Sequence, residues 1–350
     1  MQVKIMNKNS YLRYFNSIAA SIAYKQTCVR AIAIACLMPA MHAAVAQAAD
    51  AATTYPQRPV RIVVGFPAGG NTDIISRAMA QKLTERFGQT VIVENRPGAG
   101  SMIGTDTVAK ATADGHTLLL VSGAFSTQAA VLKKLPFDPL RDFAWITNAV
   151  LYPFAVIVKP DARTQSIADL IGAAKKAPGK LNYGSVGIGS VLHLAVELFN
   201  THANVEMTHI PFKGGADLVI ELVSGRLDVV FETLTGAYPH VQAGKLNAIA
   251  VTSLERSPQL PNVPTVAQTL PGYEVTSYSG FAAPRGTPPA IVSKLNREMR
   301  VVLDQPDVRK RFTDLGGAVT PTTPDAFGAH VTGEIAKWKK IAGAKKIEIQ

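Results

Sequence analysis

The sequence predicts an α/β protein built as two doubly wound lobes, and three observations predict it. Short β-branched runs alternate with amphipathic segments along most of the chain, the pattern of layered sheets that are largely parallel. Two units of strand, glycine turn and helix open at Val60 and at Leu181, with their turns about 115 residues apart. Extended segments near 145–159 and 273–283 are placed to cross between lobes. One lobe is expected over 49–155 together with 276–350, and the other over 156–275.

Residues 1–48 carry Lys4, Lys8, Arg13, Lys25 and Arg30, no acid, and an apolar run from Ala31 to Met38. That is the pattern of a secretory signal peptide, with cleavage expected after Ala48, and it implies export to the periplasm. The run is too short to span a bilayer. Its removal takes both cysteines, Cys28 and Cys36, so the mature chain has no disulfide and no thiolate. With the five leader bases gone the net charge falls from +11 to +6, an excess that suits a receptor for anions. The scattered basic residues and the export signal argue against nucleic acid.

The first strand, 60–66, rests on Val60, Ile62, Val63 and Val64, bounded by turn formers. Ile75, Met79, Leu83 and Phe87 then recur at helical spacing, which predicts a helix over 72–87. By the same reasoning strands are expected near 90–94, 117–121, 181–184, 205–210, 227–232 and 247–252. Helices are expected near 101–111, 166–176, 189–202, 214–224, 288–304, 306–315 and 324–341. Punctuation supports several of them: Ser166 caps a helix with Asp169 at its third position, Pro178 and Gly179 end it, and Pro288, Pro306 and Pro324 stand at helix starts.

The glycine turns carry the chemistry. A helix's first turn has N–H groups without intrahelical acceptors and a partial positive charge, so it suits an anion. Gly69 and Gly70 permit close backbone approach, and Asn71, Thr72 and Asp73 can cap the helix or bond a ligand; a plain capped βα turn has the same sequence. In the second unit Ser185, Gly187, Gly189 and Ser190 precede a helix containing His193, and their hydroxyl and N–H groups can hold the other end of a ligand or simply close a tight turn. His193 can face solvent, pack in a cleft or touch ligand. Ser122 and Ser126 lie after a strand, where open α/β sheets bind ligands. Lys213 and Gly214 can close a cleft or be solvated. Glu232 discriminates: turned into a cleft it pairs with an amino group, and turned away it leaves room for other acids.

Other classes are weaker. The run Gly98–Gly104 has the wrong spacing for a dinucleotide fingerprint and lacks a placed acid for a ribose. There is no G-x-S-x-G or H-E-x-x-H motif, and His116, His193, His209 and His240 lack metal-ligand spacing. No catalytic residue, metal or cofactor is therefore assigned, and an exported α/β enzyme acting on a small carboxylate stands as the alternative.

The ordered series YPQRPVRIVVGFPAGGNTD, VIVENRPGAGSMIG, DGHTLLL, LNYGSVGIGS, HIPFKGG and GFAAPRGTP resembles the Bug-type receptors, the extracytoplasmic solute receptors of tripartite tricarboxylate transporters. The resemblance implies a periplasmic binding protein fold: two lobes, joined by two crossing strands, that close by hinge motion on a ligand cleft. It implies a monomer that passes a dicarboxylate, tricarboxylate, aromatic acid or acidic amino acid to membrane permease subunits. For Phe66, Ala68, Gly69, Gly70, Asn71, Thr72 and Asp73 it implies contact with a ligand carboxylate, direct or through water. His116, Phe212 and Gln268 depart from the residues usual in that family, and Phe212 lacks a phenolic donor.

Overall fold

The computed structural model describes residues 53–212 and 215–347. The leader, its cleavage point, Lys213 and Gly214 lie outside them. From Pro56 onward the chain forms one compact unit.

Its first strands are β1 (Val60–Val64), β2 (Val91–Asn95) and β3 (Thr117–Ser122), followed by the long β4 (Phe143–Val158). Then come β5 (Asn182–Ser185), β6 (Thr208–Pro211), β7 (Val229–Thr233), β8 (Asn247–Val251), β9 (Thr276–Pro284) and β10 (Ala318–Val319). They join in the order β2-β1-β3-β9-β4-β7-β5-β6, with β8 and β10 also on β4. The flanks are parallel, β1 with β2 and β3, and β5 with β6 and β7. The centre is antiparallel, because β4 and β9 run against each other and against their neighbours. The strand β4 is thus shared by a first half-sheet, with β9, and a second, with β7 and β8.

Helices α1 (Asn71–Phe87) and α2 (Met102–Ala109) follow β1 and β2, and α3 (Gly123–Val131) follows β3. The second half-sheet carries α4 (Ile167–Lys176), α5 (Val191–Ala203), α6 (Gly215–Val223), α7 (Leu234–Gln242) and the short α8 (Val266–Thr269). The chain ends with α9 (Pro289–Leu303), α10 (Pro306–Asp314) and α11 (Pro324–Ala344). Ser166 caps as its sequence position predicts, and Thr323 caps the helix that Pro324 opens, each side chain accepting from the amide three residues on. Three helices were not expected, the single-turn α8 and two longer ones. The segment after β3, read as a loop from its serines and threonine, is α3, and α7 was hidden by Gly236 and Pro239, which sits inside it.

Phe125, Phe143, Trp145 and Phe327 pack edge to face beneath the first half-sheet, while Phe199, Phe231 and Tyr273 do so beneath the second. The helix α11 serves both cores. Phe327, Val331 and Ile335 join the first, and Trp338 and Ile341 the second.

Where β4 leaves the first half-sheet, its pairing with β9 shifts register twice, between Trp145 and Thr147 and between Asn148 and Val150. A buried polar network fills the irregularity. Asn296 Nδ2 donates to the Ile146 carbonyl at 2.7 Å and to the Thr322 carbonyl at 2.8 Å, and Asn148 Nδ2 donates to Thr320 Oγ1 at 2.8 Å. Asn296→Leu strands the Ile146 carbonyl and leaves that of Thr322 to the Thr147 hydroxyl alone, and is expected to cost about 2 kcal/mol, read as a lower urea midpoint with an unchanged slope. An unmoved midpoint would show that water replaces the amide.

Candidate functional site

The first glycine turn begins where β1 ends. Gly65 is obligatory there, because a Cβ would lie 2.8 Å from Ser101 Cα and 2.9 Å from its carbonyl oxygen. Gly104 on α2 packs against the same spot, with Gly65 Cα 3.0 Å from where its Cβ would be. The Gly98–Gly104 run is therefore a packing device. Pro67, Ala68, Gly69 and Gly70 are exposed, Phe66 and Asn71 half-buried, and Thr72 and Asp73 buried. Gly69 takes φ +89°, a conformation that favours glycine.

Asp73 is committed to its own turn. Its Oδ2 accepts from the Gly69 amide at 3.0 Å and from Arg77 Nε at 2.9 Å, and its Oδ1 accepts from Asn95 Nδ2 at 3.0 Å. Asn95 Nδ2 also donates to the Phe66 carbonyl at 3.0 Å, so one amide ties both ends of the turn. Burial pushes the Asp73 carboxyl up, but the hydrogen bonds from Arg77, Gly69 and Asn95, with the Arg77 charge, outweigh it and hold it below its ordinary value. The Gly69 amide is thus occupied. The amides of Gly70, Asn71 and Thr72 have no acceptor among the described residues, and Gly70 offers no capping side chain.

After β3, Ser122 is the N-cap of α3, buried, with no capping hydrogen bond from its side chain. Ser126 is placed otherwise than expected. It is fully buried one turn into α3 and its hydroxyl pairs with Tyr278 at 2.6 Å, because residues four apart on a helix share a face only if the segment is not a loop. Gly123 lies beside Ser277 of β9, whose Oγ would be 2.6 Å from a Cβ, and beside Val191 of α5, at 3.4 Å. The N-termini of α3 and α5 therefore meet over the crossing strands.

The second glycine turn is more closed than the sequence suggests. Ser185 Oγ pairs with His209 Nε2 at 2.6 Å and accepts from the Gly187 amide at 3.2 Å. The Gly189 amide donates to His193 Nδ1 at 3.0 Å, and Ser190 Oγ caps His193 N at 3.3 Å. The expected free amides at Gly187 and Gly189 are thus taken by protein, since a buried turn must satisfy its own polar groups. Val191 and Leu192 keep amides with no acceptor among the described residues. His193 does not face solvent: it is 6 % exposed and stacks on His209.

The helix α7 completes the arrangement. Thr233 caps it at Gly236 N, and Glu232 Oε1 accepts from Thr233 N at 2.7 Å and from its hydroxyl at 2.9 Å. Glu232 Oε2 is buried without a partner, and burial pushes the carboxyl above its ordinary value. Thr235 links the halves: Asn71 Nδ2 donates to its Oγ1 at 3.1 Å, and that hydroxyl donates to the Leu315 carbonyl. Gly316 makes room for Leu234 there, because a Cβ would sit 3.0 Å from Leu234 Cβ. Sequence reasoning missed Thr235, Asn95, Ser277 and His209. A threonine three residues before Gly236, after a buried strand, was the available signal for α7.

The N-terminus of α1 thus meets that of α7 through Asn71 and Thr235, and the N-terminus of α3 meets that of α5 beside β9. Val186 and Ile188, 38 % and 58 % exposed, present apolar side chains from the second turn. Among the described residues no group of three or more His, Cys, Asp or Glu could hold a metal.

Residues 75–347 match the sequence profile of the tripartite tricarboxylate transporter family receptor. The chain is similar to a UPF0065 protein in the tcbD-tcbE intergenic region of Pseudomonas sp. strain P51, 39% identical over 289 residues, which are 82% of this chain and 86% of that one. BugT of Bordetella pertussis is 34% identical over 300 residues, 84% and 92% of the two chains. Among solved structures, Rpa4515 of R. palustris with adipate shares 35% identity at a TM-score of 0.76, over 84% of this chain and 99% of that one. MatC from Rhodopseudomonas palustris with bound malate shares 33% identity at a TM-score of 0.72, over 82% and 99%.

Proposed function

Because the chain belongs to the family of tripartite tricarboxylate transporter receptors, we propose that it captures a small carboxylate between its half-sheets and passes it to the membrane permease subunits of such a transporter. Members of this family are solute-binding proteins of periplasmic type and not enzymes, which sets the exported-enzyme alternative aside.

The observation that carries the proposal is the set of open amides at converging helix N-termini: Gly70, Asn71 and Thr72 on α1, Val191 and Leu192 on α5. Hydrogen bonds from such amides to a carboxylate contribute about 1.5–3 kcal/mol each, and the helix dipole about 0.3–1 kcal/mol more. Micromolar binding needs about 8 kcal/mol net, so both termini must engage. A ligand with two acid groups meets that requirement, one at the α1 turn and one where α3 and α5 meet. Relatives bound to adipate and to malate are in keeping with this class.

Closure follows from contacts to both sides, because a ligand with equal affinity for open and closed forms shifts nothing. The hinge falls on β4 and β9, with lobes at 49–155 plus 276–350 and at 156–275. Lys213 and Gly214 remain proposed contacts at the cleft edge, and the receptor acts as a monomer.

A thermal-shift screen of C4 to C6 dicarboxylates, tricarboxylates, aromatic acids and acidic amino acids tests the reading. A true ligand at a hundred times its dissociation constant should stabilise by about 2.7 kcal/mol, a rise of roughly 4 °C for a chain of this size. If no acid raises the midpoint, carboxylate capture is wrong.

A further inference from the structure

The second glycine turn is held by a pair of imidazoles, His193 buried and His209 half-buried. His193 and His209 stack with ring centres 4.0 Å apart and planes 21° from parallel, and Tyr183 packs against both, 5.0 Å from the His209 ring centre and 6.3 Å from that of His193. Each imidazole grips the turn at a different point. His209 Nε2 pairs with the Ser185 hydroxyl, and His193 Nδ1 accepts from the Gly189 amide. The two bonds respond differently to a proton. A protonated His209 can still donate to Ser185, whose hydroxyl is also 3.0 Å from the Gly187 carbonyl and can turn to it. A protonated His193 cannot accept from Gly189, because both would then be donors.

The geometry therefore fixes the state of His193 as the neutral imidazole with its proton on Nε2. Reciprocal bonds join it to the start of α5: Ser190 Oγ accepts from His193 N while His193 Nδ1 accepts from Gly189 N, a capping box completed by a histidine. Those two bonds set the path of the chain into Val191 and Leu192, whose amides are open.

We infer that His193 is the positioning residue of the second turn: its neutral ring holds Gly189 and so the open amides of α5, and its protonation releases the turn and the carboxylate held there. The second half of this inference rests on the proposed function, and the first half does not.

The charged and titratable groups around the pair are few. Tyr183 of β5 donates to Glu197 Oε1 at 2.7 Å, one turn along α5. Glu197 Oε2 pairs with Lys345, at the end of α11, at 3.2 Å, and Asn200 donates to its other oxygen. Glu197 is thus already satisfied and offers the imidazoles little compensation. The segment Gly123–Val131, which packs across α5, contains no charged residue. Burial pushes His193 below its ordinary value, with Glu197 opposing. Burial and then His193 push His209 down to about 4, again with Glu197 opposing. Since burial holds both rings below the free value, the turn is intact at neutral pH and opens as pH falls through the lowered His193 value.

The test uses the 15N-labelled protein without ligand. Protection of the Gly189 amide against exchange is expected to fall about tenfold or more between pH 6.5 and pH 4, with a midpoint that follows the His193 ring. In His193→Gln, which keeps an acceptor and cannot be protonated, protection should stay within about threefold over the same range. A flat Gly189 profile while the ring titrates, or an equal fall in His193→Gln, overturns the positioning role. Calorimetry with adipate and malate as probes reads the second half. From pH 7 to pH 4.5 the wild type should lose about tenfold more affinity than His193→Gln, the acids' own protonation being common to both. Equal losses overturn the link to capture. Failure of both acids to bind at pH 7 counts against the proposed function, while Gly189 still decides the role of His193.

Discussion

Asp73→Ala is expected to destabilise the protein by about 2–3 kcal/mol and to weaken carboxylate binding about tenfold or more. The carboxylate takes three donors at once, from Gly69, Arg77 and Asn95, and two of them shape the turn that presents the open amides. Arg77 is half exposed, so its pairing adds little to the loss, and the main cost comes from the Gly69 and Asn95 bonds. Asp73→Asn should fall between, since it retains one acceptor without the charge. The pH dependence has a definite sign. A carboxyl held below its ordinary value contributes stability that is complete above the unfolded value near 4 and is lost as pH falls through the lower folded one. Asp73→Asn should therefore flatten the acid limb of the stability profile. Urea unfolding and calorimetry with the acid found by thermal shift decide it; an Ala variant with wild-type midpoint and affinity would mean that the turn is held by its glycines alone.

Gly280→Ala is expected to cost about 3 kcal/mol or more, enough to deplete folded protein in the cell. Gly280 lies on β9 between Val121 of β3 and Asn148 of β4, and a Cβ there would run into the Phe327 ring and come 2.7 Å from the Thr147 carbonyl. Phe327 is fully buried and Thr147 belongs to the polar network of β4, so neither can yield. Gly333→Ala serves as the contrast, because that glycine sits exposed in α11 with nothing within 4 Å of an added Cβ. It should stabilise by roughly 0.5–1 kcal/mol through helix propensity. Urea midpoints for the pair test the assignment: similar values would show that β9 relaxes and that the close approach is not a constraint.

Much of the fold was legible because its elements obey local rules. The change from β-branched run to four-residue spacing at Gly69 and Gly70 marks β1 and α1, and Ser166 caps where its spacing says. The longer helices that escaped notice, α3 and α7, are those in which local preference and tertiary context disagree. Ser126 and Thr127 read as loop in Gly123–Val131, and Pro239 breaks the helical pattern of Leu234–Gln242, yet both segments are held against buried strands. The candidate site was legible at the level of which turns, and not of which atoms. Nothing within the sequence of the second turn says that His209, 20 residues on from Gly189, would take the Ser185 hydroxyl, or that Asn95 would tie Phe66 to Asp73.

The α/β alternation, the two glycine turns and the family resemblance follow from the chain alone, because each depends on residues close together or on motifs in a set order. Which amides stay open depends on partners brought in from other strands, and so does the burial of Ser126, the seating of Leu234 by Gly316 and the link from Asn71 through Thr235 to Leu315. Hydrogen bonds are satisfied by whatever lies within about 3 Å, whatever its sequence distance, so only the packed fold decides which donors remain for a ligand.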